Sequence, residues 1–141
     1  MRYEPVIPIV AVASLVATQA AFADPASDSA EAQAIQRLAS ADIQKQLGKP
    51  AELRVQALHS SGEWAFVFAT MIKPDGQDFD YDGTEWAAAA EHGGKSTRYA
   101  GLFHNVGGTW QLTASAVGPT DTAWTPWSSQ YGAPSEIFQT N

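Results

Sequence analysis

Between Asp28 and Pro50 one apolar stripe recurs with helical period. Ile35, Leu38, Ala39, Ile43 and Leu47 fall three or four residues apart, while Glu31, Gln36, Lys45 and Gln46 take the positions between. That spacing puts the apolar side chains on one face of a helix of about five turns. Asp28 with Glu31 three residues later has the form of a capping box. Gly48-Lys49-Pro50 ends the run, with glycine at the C-cap and proline beyond it. A helix with a single greasy face must lay that face on something, and the rest of the chain has to supply the surface.

The residues beyond Pro50 have the period of strands. Leu53, Val55 and Ala57 alternate with Arg54 and Gln56; then, after Ser60-Ser61-Gly62, the run Glu63 to Ala69 carries aromatics at every second position. These two runs predict a hairpin. A second hairpin is marked by Gly107-Gly108 between Tyr99–Val106 and Thr109–Val117, with Trp110, Leu112 and Ala114 expected on one face. Between the hairpins an acidic loop, Pro74 to Gly83, leads into a short helix expected from a Thr84 N-cap to Gly93. Trp124, Trp127 and Tyr131, at helical spacing, predict a short C-terminal helix ending before Gly132, with Pro126 acceptable only in its first turn. One long helix packed on an antiparallel sheet of two hairpins is an α+β fold. Its layout is similar to cystatin-like folds, a likeness of arrangement that carries no function.

The first 23 residues are set apart from this unit. Val6 to Ala17 is an uncharged, mostly apolar run, and Ala21-Phe22-Ala23 has the small-x-small form of a signal-peptide cleavage site. A membrane anchor needs about 20 apolar residues, but Thr18 and Gln19 interrupt this run and Pro8 lies inside it. The expectation is a signal peptide over 1–23, cleavage near Ala23 and a single α+β domain over 24–141, periplasmic or secreted and without a stable membrane anchor. The chain has no cysteine. That removes disulfides, thiolate catalysis and Cys-ligated metal, so the domain must hold itself by its core. Five Trp, six Phe and four Tyr supply the area. With a net charge of −7 and scattered basic residues, the chain lacks the cationic stripe that nucleic acid requires.

The sharpest local motif is Asp78-Phe79-Asp80-Tyr81-Asp82-Gly83, the D-x-D-x-D-G opening of a calcium loop. Its twelfth position should be a bidentate Glu and is Ala89, and no long helix precedes it. Asp78, Asp80 and Asp82 are therefore weak metal candidates beside the plainer reading of a solvated loop whose aromatics pack inward. Gly94-Lys95-Ser96-Thr97 lacks the earlier glycine of a phosphate loop, since Ala89 stands there. His59, His92 and His104 have no metal-ligand spacing. Ser60 and Ser61 beside His59 do not make a catalytic pair, and no G-x-S-x-G elbow exists. Asp75, Asp78, Asp80, Asp82, Glu85 and Asp121 offer carboxylates for acid–base chemistry, which needs two of them at a defined separation. Trp124, Trp127 and Tyr131 form either a lid on the core or a binding surface, since Trp and Tyr dominate recognition hot spots.

The run E-W-A-F-V-F at 63–68, G-G-T-W-Q-L at 107–112 and G-P-T-D-x-x-W…Y-G-A-P…F at 118–138 resemble a group of small bacterial secreted proteins with a G-x-W-A-F-V hairpin and a G-P-T-D ending. The resemblance implies export and an α+β domain. It attaches no activity, cofactor or site residue, and the D-F-D-Y-D-G loop and Pro126 fall outside its pattern.

Three functional readings stand as expectations. The first is a non-catalytic binding domain of the cell envelope that takes a protein, peptide or small ligand on the aromatic C-terminal face or the 74–86 loop. The alternatives are a carboxylate-based hydrolase, using His59 or His104, and a calcium-stabilised structural protein. A cystatin-type inhibitor is a variant of the first, but the Q-x-V-x-G hairpin tip of that family is absent: from Gln56 the chain reads Gln-Ala-Leu-His-Ser.

Overall fold

The computed structural model describes Pro25 and residues 29–141; the leader, its cleavage point and Asp28 lie outside the described residues. Helix α1 runs Ala30–Leu47. Its N-cap is Ser29, whose hydroxyl accepts the Ala32 N–H at 3.1 Å. Gly48 closes it, donating its N–H to the Gln44 carbonyl at 2.8 Å. Of the expected stripe Ile35, Ala39, Ile43 and Leu47 are buried, joined by Ala32, while Leu38 is only half-buried.

Four strands come next, β1 (Glu52–Ser61), β2 (Trp64–Ile72), β3 (Arg98–Val106) and β4 (Thr109–Val117), paired antiparallel in chain order. Ser61 pairs with Trp64 across the first turn and Val106 with Thr109 across the second. Gly107 and Gly108 both have positive φ, 62° and 89°. A two-residue hairpin loop whose twist matches the strands requires this, and glycine reaches it without strain. The fold is thus α+β, a helix and an antiparallel two-hairpin sheet, as the periodicity predicts.

The sheet is covered on both faces. On one, α1 packs Ile35, Ala39 and Ile43 against Ala65, Val67, Met71, Tyr99 and Phe103, with Phe79 and Tyr81 closing the end. On the other, the chain after Val117 folds back so that Trp127, Ala133 and Ile137 lie on Phe66, Phe68, Ala100 and Leu102. Burial on both faces explains why β2 and β3 read as nearly continuous apolar runs. Each large side chain so buried contributes about 1.5–3 kcal/mol. Two polar ties fix α1 across the sheet: Tyr99 donates its hydroxyl to Asp42 Oδ2 at 3.0 Å, and Gln46 Nε2 donates to Ser115 Oγ at 3.1 Å.

Two expected stripes are split. Leu53 and Val55 pack on the helix side, but Ala57 belongs to the opposite core. Likewise Trp110 and Leu112 face the helix while Ala114 faces away. In both edge strands a bulge is the cause. Val55 pairs with Ala69 and Ala57 with Phe68, leaving Gln56 as an extra residue; Leu112 pairs with Phe103 and Ala114 with Leu102, leaving Thr113 extra. An extra residue turns the rest of the strand over and increases its twist, a common way to blunt an exposed edge.

The two short helices differ in how closely their ends match the sequence pattern. Helix α2 spans Ala87–Glu91, starting two residues later than a Thr84 cap implies. Thr84 instead closes a turn ahead of the helix: its hydroxyl donates to the Tyr81 carbonyl at 2.7 Å and accepts the Trp86 N–H at 3.1 Å. Helix α3 spans Trp127–Tyr131 directly after Pro126 and ends at Gly132, with a 3-10 turn beyond it at Ser135–Ile137. Gly118 makes the exit from β4 at φ 70°, where a Cβ would lie 2.9 Å from both Lys95 Cδ and the Ser96 carbonyl and collide with the Tyr81 hydroxyl. Among the described residues no helix is long and apolar enough to cross a membrane.

Candidate functional site

The acidic loop uses its aromatics as anchors. Phe79 and Tyr81 are buried, and their rings meet edge-on at 5.3 Å. Tyr81 donates its hydroxyl to the Ser96 carbonyl, and burial pushes its pKa up to about 12. With alternate residues pointing inward, Asp78, Asp80 and Asp82 are left on the outer side.

The centre of that outer side is held by an ammonium group. Lys49, just beyond the end of α1, donates to the Asp80 carbonyl at 2.9 Å, to Asp80 Oδ1 at 3.0 Å and to the Asp82 carbonyl at 3.2 Å. Lys73 at the end of β2 reaches Asp80 Oδ2 at 2.8 Å. Hydrogen bonds from Lys73, Lys49 and the Asp82 N–H hold the Asp80 carboxyl well below the usual carboxylate range, and the same contact raises Lys73. Asp78 and Asp82 are exposed and do not join Asp80 around a common point. Among the described residues no three His, Asp or Glu side chains form a group suited to a metal ion.

The other polar candidates are spread over the surface. His104 stacks on Trp64, with ring centroids 4.0 Å apart, and lies 2.8 Å from Glu63. His59 Nε2 is 2.9 Å from the Asn141 carbonyl, and His92 is exposed beyond α2. Asp75 bonds locally to the Gln77 N–H at 3.0 Å, and Glu85 and Asp121 are exposed.

The C-terminal aromatics face the sheet. Trp127 is 7% exposed and sits edge-on to Phe66 at 6.5 Å. Trp124 is half-buried, 6.1 Å from Phe66 and 5.2 Å from Phe68, and Phe138 adds a third ring 5.0 Å from Phe66. Tyr131, at the end of α3, turns outward at 37% exposure. Tyr131 and one side of Trp124 are therefore what this segment offers to a partner.

An open cleft lies elsewhere, where α1 crosses the start of β1. It has a volume of about 580 Å³ and is bordered by Gln36, Arg37 and Ser40 of α1, Glu52 and Leu53 of β1, and Pro74. On the other side of α1 a second hollow of about 390 Å³ lies against Leu38, Thr109 and Trp110. Arg37 borders both. No ion pair joins it to a carboxylate among the described residues. Arg37 is inconspicuous in the sequence; its only signal is a cation directly before an apolar helix position, Leu38, that the sheet leaves half uncovered. No protein-family model, curated protein or solved structure matches the chain.

Proposed function

We propose that this chain is an exported, non-catalytic binding domain whose ligand sits in the clefts flanking α1, held by Arg37. The observation that carries the reading is a guanidinium between two clefts that no ion pair engages among the described residues, in a chain of net charge −7. Elsewhere lysines are drawn into contacts with acidic groups, as Lys49 and Lys73 are with Asp80. Leu53 on one side and Leu38 and Trp110 on the other supply apolar contact, and polar side chains among an apolar lining are the usual make-up of a ligand site. The ligand class is a small molecule or peptide end bearing a carboxylate. A hydrolase would need two carboxylates converging, and a calcium-stabilised protein several; Asp80, the most engaged of the loop acids, is neutralised by two lysines.

Export rests on the leader pattern and on the resemblance to small secreted proteins. In fractionated cells the mature mass should correspond to a chain starting at Asp24 in the envelope or medium; the intact Met1 form in the cytosol would refute it.

Binding is tested by thermal melts of the protein with a panel of small carboxylates and dipeptides, because a ligand that prefers the folded state must raise stability. At least one compound is expected to raise the Tm of the wild type and to leave Arg37→Gln unmoved. No shift in the wild type across the panel, or equal shifts in the variant, would refute the clefts as the site.

A further inference from the structure

On the sheet face opposite α1, the pairing places Arg54 of β1 beside Thr70 of β2, and Thr70 beside Arg98 of β3. Directly paired residues of an antiparallel sheet point to the same side, so this row carries two guanidiniums with a hydroxyl between them. The β1 bulge adds a fourth group. Gln56, the extra residue, turns onto this face, where its Oε1 accepts from Thr70 Oγ1 at 3.2 Å and from Arg98 Nη1 at 3.4 Å. Arg98 thus reaches back across β2 toward the strand of Arg54, and its guanidinium passes over the Phe68 ring at 5.6 Å. Trp124, half-buried and 5.2 Å from Phe68, borders the row where the C-terminal segment begins.

Both arginines are exposed, and no ion pair joins either one to a carboxylate among the described residues. Arg98 is instead held by an amide and an aromatic face, contacts that fix its direction and leave its charge uncompensated. A planar guanidinium presents a fork that matches a carboxylate. Strands are about 4.8 Å apart, so β1 and β3 put their arginine backbones about 10 Å apart. Arg98 leans back toward β1, so its fork lies nearer Arg54 than the backbones do, and the two arginines with Trp124 beside them fit an acidic segment that also carries an apolar side chain.

We propose that Arg54, Thr70 and Arg98, with Gln56, form a docking surface for an acidic peptide segment of a partner protein. The two arginines each take a carboxylate, the Thr70–Gln56 pair supplies neutral hydrogen bonds between them, and Trp124 receives an apolar neighbour. The site lies on the other side of the sheet from the Arg37 clefts and stands independently of them. The overall negative charge opposes acidic partners at long range, but at physiological salt the field is screened within about 8 Å, so the charges beside the row decide: the two arginines against Glu52, which is exposed two residues from Arg54 on the same face of β1.

The test is calorimetric titration of the full mature domain with a hexaglutamate peptide and, separately, with inorganic phosphate. Binding of the peptide is expected to weaken at least tenfold in Arg54→Gln and in Arg98→Gln and to stay within twofold of wild type in Lys45→Gln. Near-UV circular dichroism of each variant shows that Phe68 and Trp124 keep their packing; if Arg98→Gln disturbs it, Arg54→Gln alone decides. No peptide binding by the wild type, equal losses in all three variants, or phosphate binding at Arg54 and Arg98 without peptide binding would each overturn the proposal.

Discussion

The ammonium of Lys49 lies 3.0 Å from the Asp80 carboxylate and 2.9 Å from the Asp80 carbonyl, so the end of the long helix is fastened to the middle of the acidic loop. Asp80 is the one loop carboxylate held on both oxygens, by Lys49 and Lys73. A motif that reads as a cation loop is, in the fold, a clasp for a lysine of the same chain.

That clasp predicts a pH dependence. The folded carboxyl of Asp80 lies below its ordinary value of about 3.9, so its contribution is whole above about pH 5 and is lost as pH falls through the ordinary range toward the depressed folded value. Asp80→Asn should lower the Tm at pH 7 and make the fall in Tm between pH 5 and pH 3 shallower than in the wild type. Parallel acid limbs for the two proteins would show that the pair contributes nothing.

Gly101 is a packing requirement. A Cβ there would lie 2.8 Å from Phe103 Cε1 and 2.9 Å from Tyr99 Cε2, both rings fully buried. In an open strand Gly→Ala stabilises by reducing the freedom of the unfolded chain, but here the overpacking dominates. Gly101→Ala should cost about 1–3 kcal/mol, read from the urea midpoint at constant slope; a gain in stability would mean that the rings move aside freely.

The tryptophans should separate by burial. Trp127→Ala removes a ring that is 7% exposed against Phe66 and should cost about 3–5 kcal/mol. Trp86 is 36% exposed and is covered on one face by the Lys95 ammonium at 4.4 Å, so Trp86→Ala should cost only about 0.5–1 kcal/mol. Denaturant titration distinguishes them, and similar costs would mean that the C-terminal segment is loosely held.

The bulge makes a prediction by deletion. Removing Gln56 joins Val55 to Ala57 and leaves each on the face it now occupies, so the domain should still unfold cooperatively, at a cost of about 0.5–3 kcal/mol. Removing Leu58 consumes the bulge instead, moving Gln56 into the place of Ala57 against the C-terminal core and Ala57 into the place of Leu58 against the helix, and should cost more than the Gln56 deletion. If the Leu58 deletion is as stable as the Gln56 deletion, the register is not what holds β1.

The long helix, its glycine stop, the four strands and the Gly107-Gly108 turn were legible because each depends on local backbone preference and on a short-range period that neighbours in sequence are enough to impose. The face assignments of Ala57 and Ala114 were not, since a bulge leaves no mark in the alternation of apolar residues and arises only in the pairing, where one strand sets an extra residue, Gln56 or Thr113, against its partner. The candidate sites were the least legible. Arg37, Arg54, Thr70 and Arg98 are unremarkable alone; their meaning comes from which charges lie nearby, and that is decided by strand register and by the crossing of α1. The same physics set Asp80 between Lys49 and Lys73, because the sequence sets which charges exist while only the folded chain sets the distances over which they act.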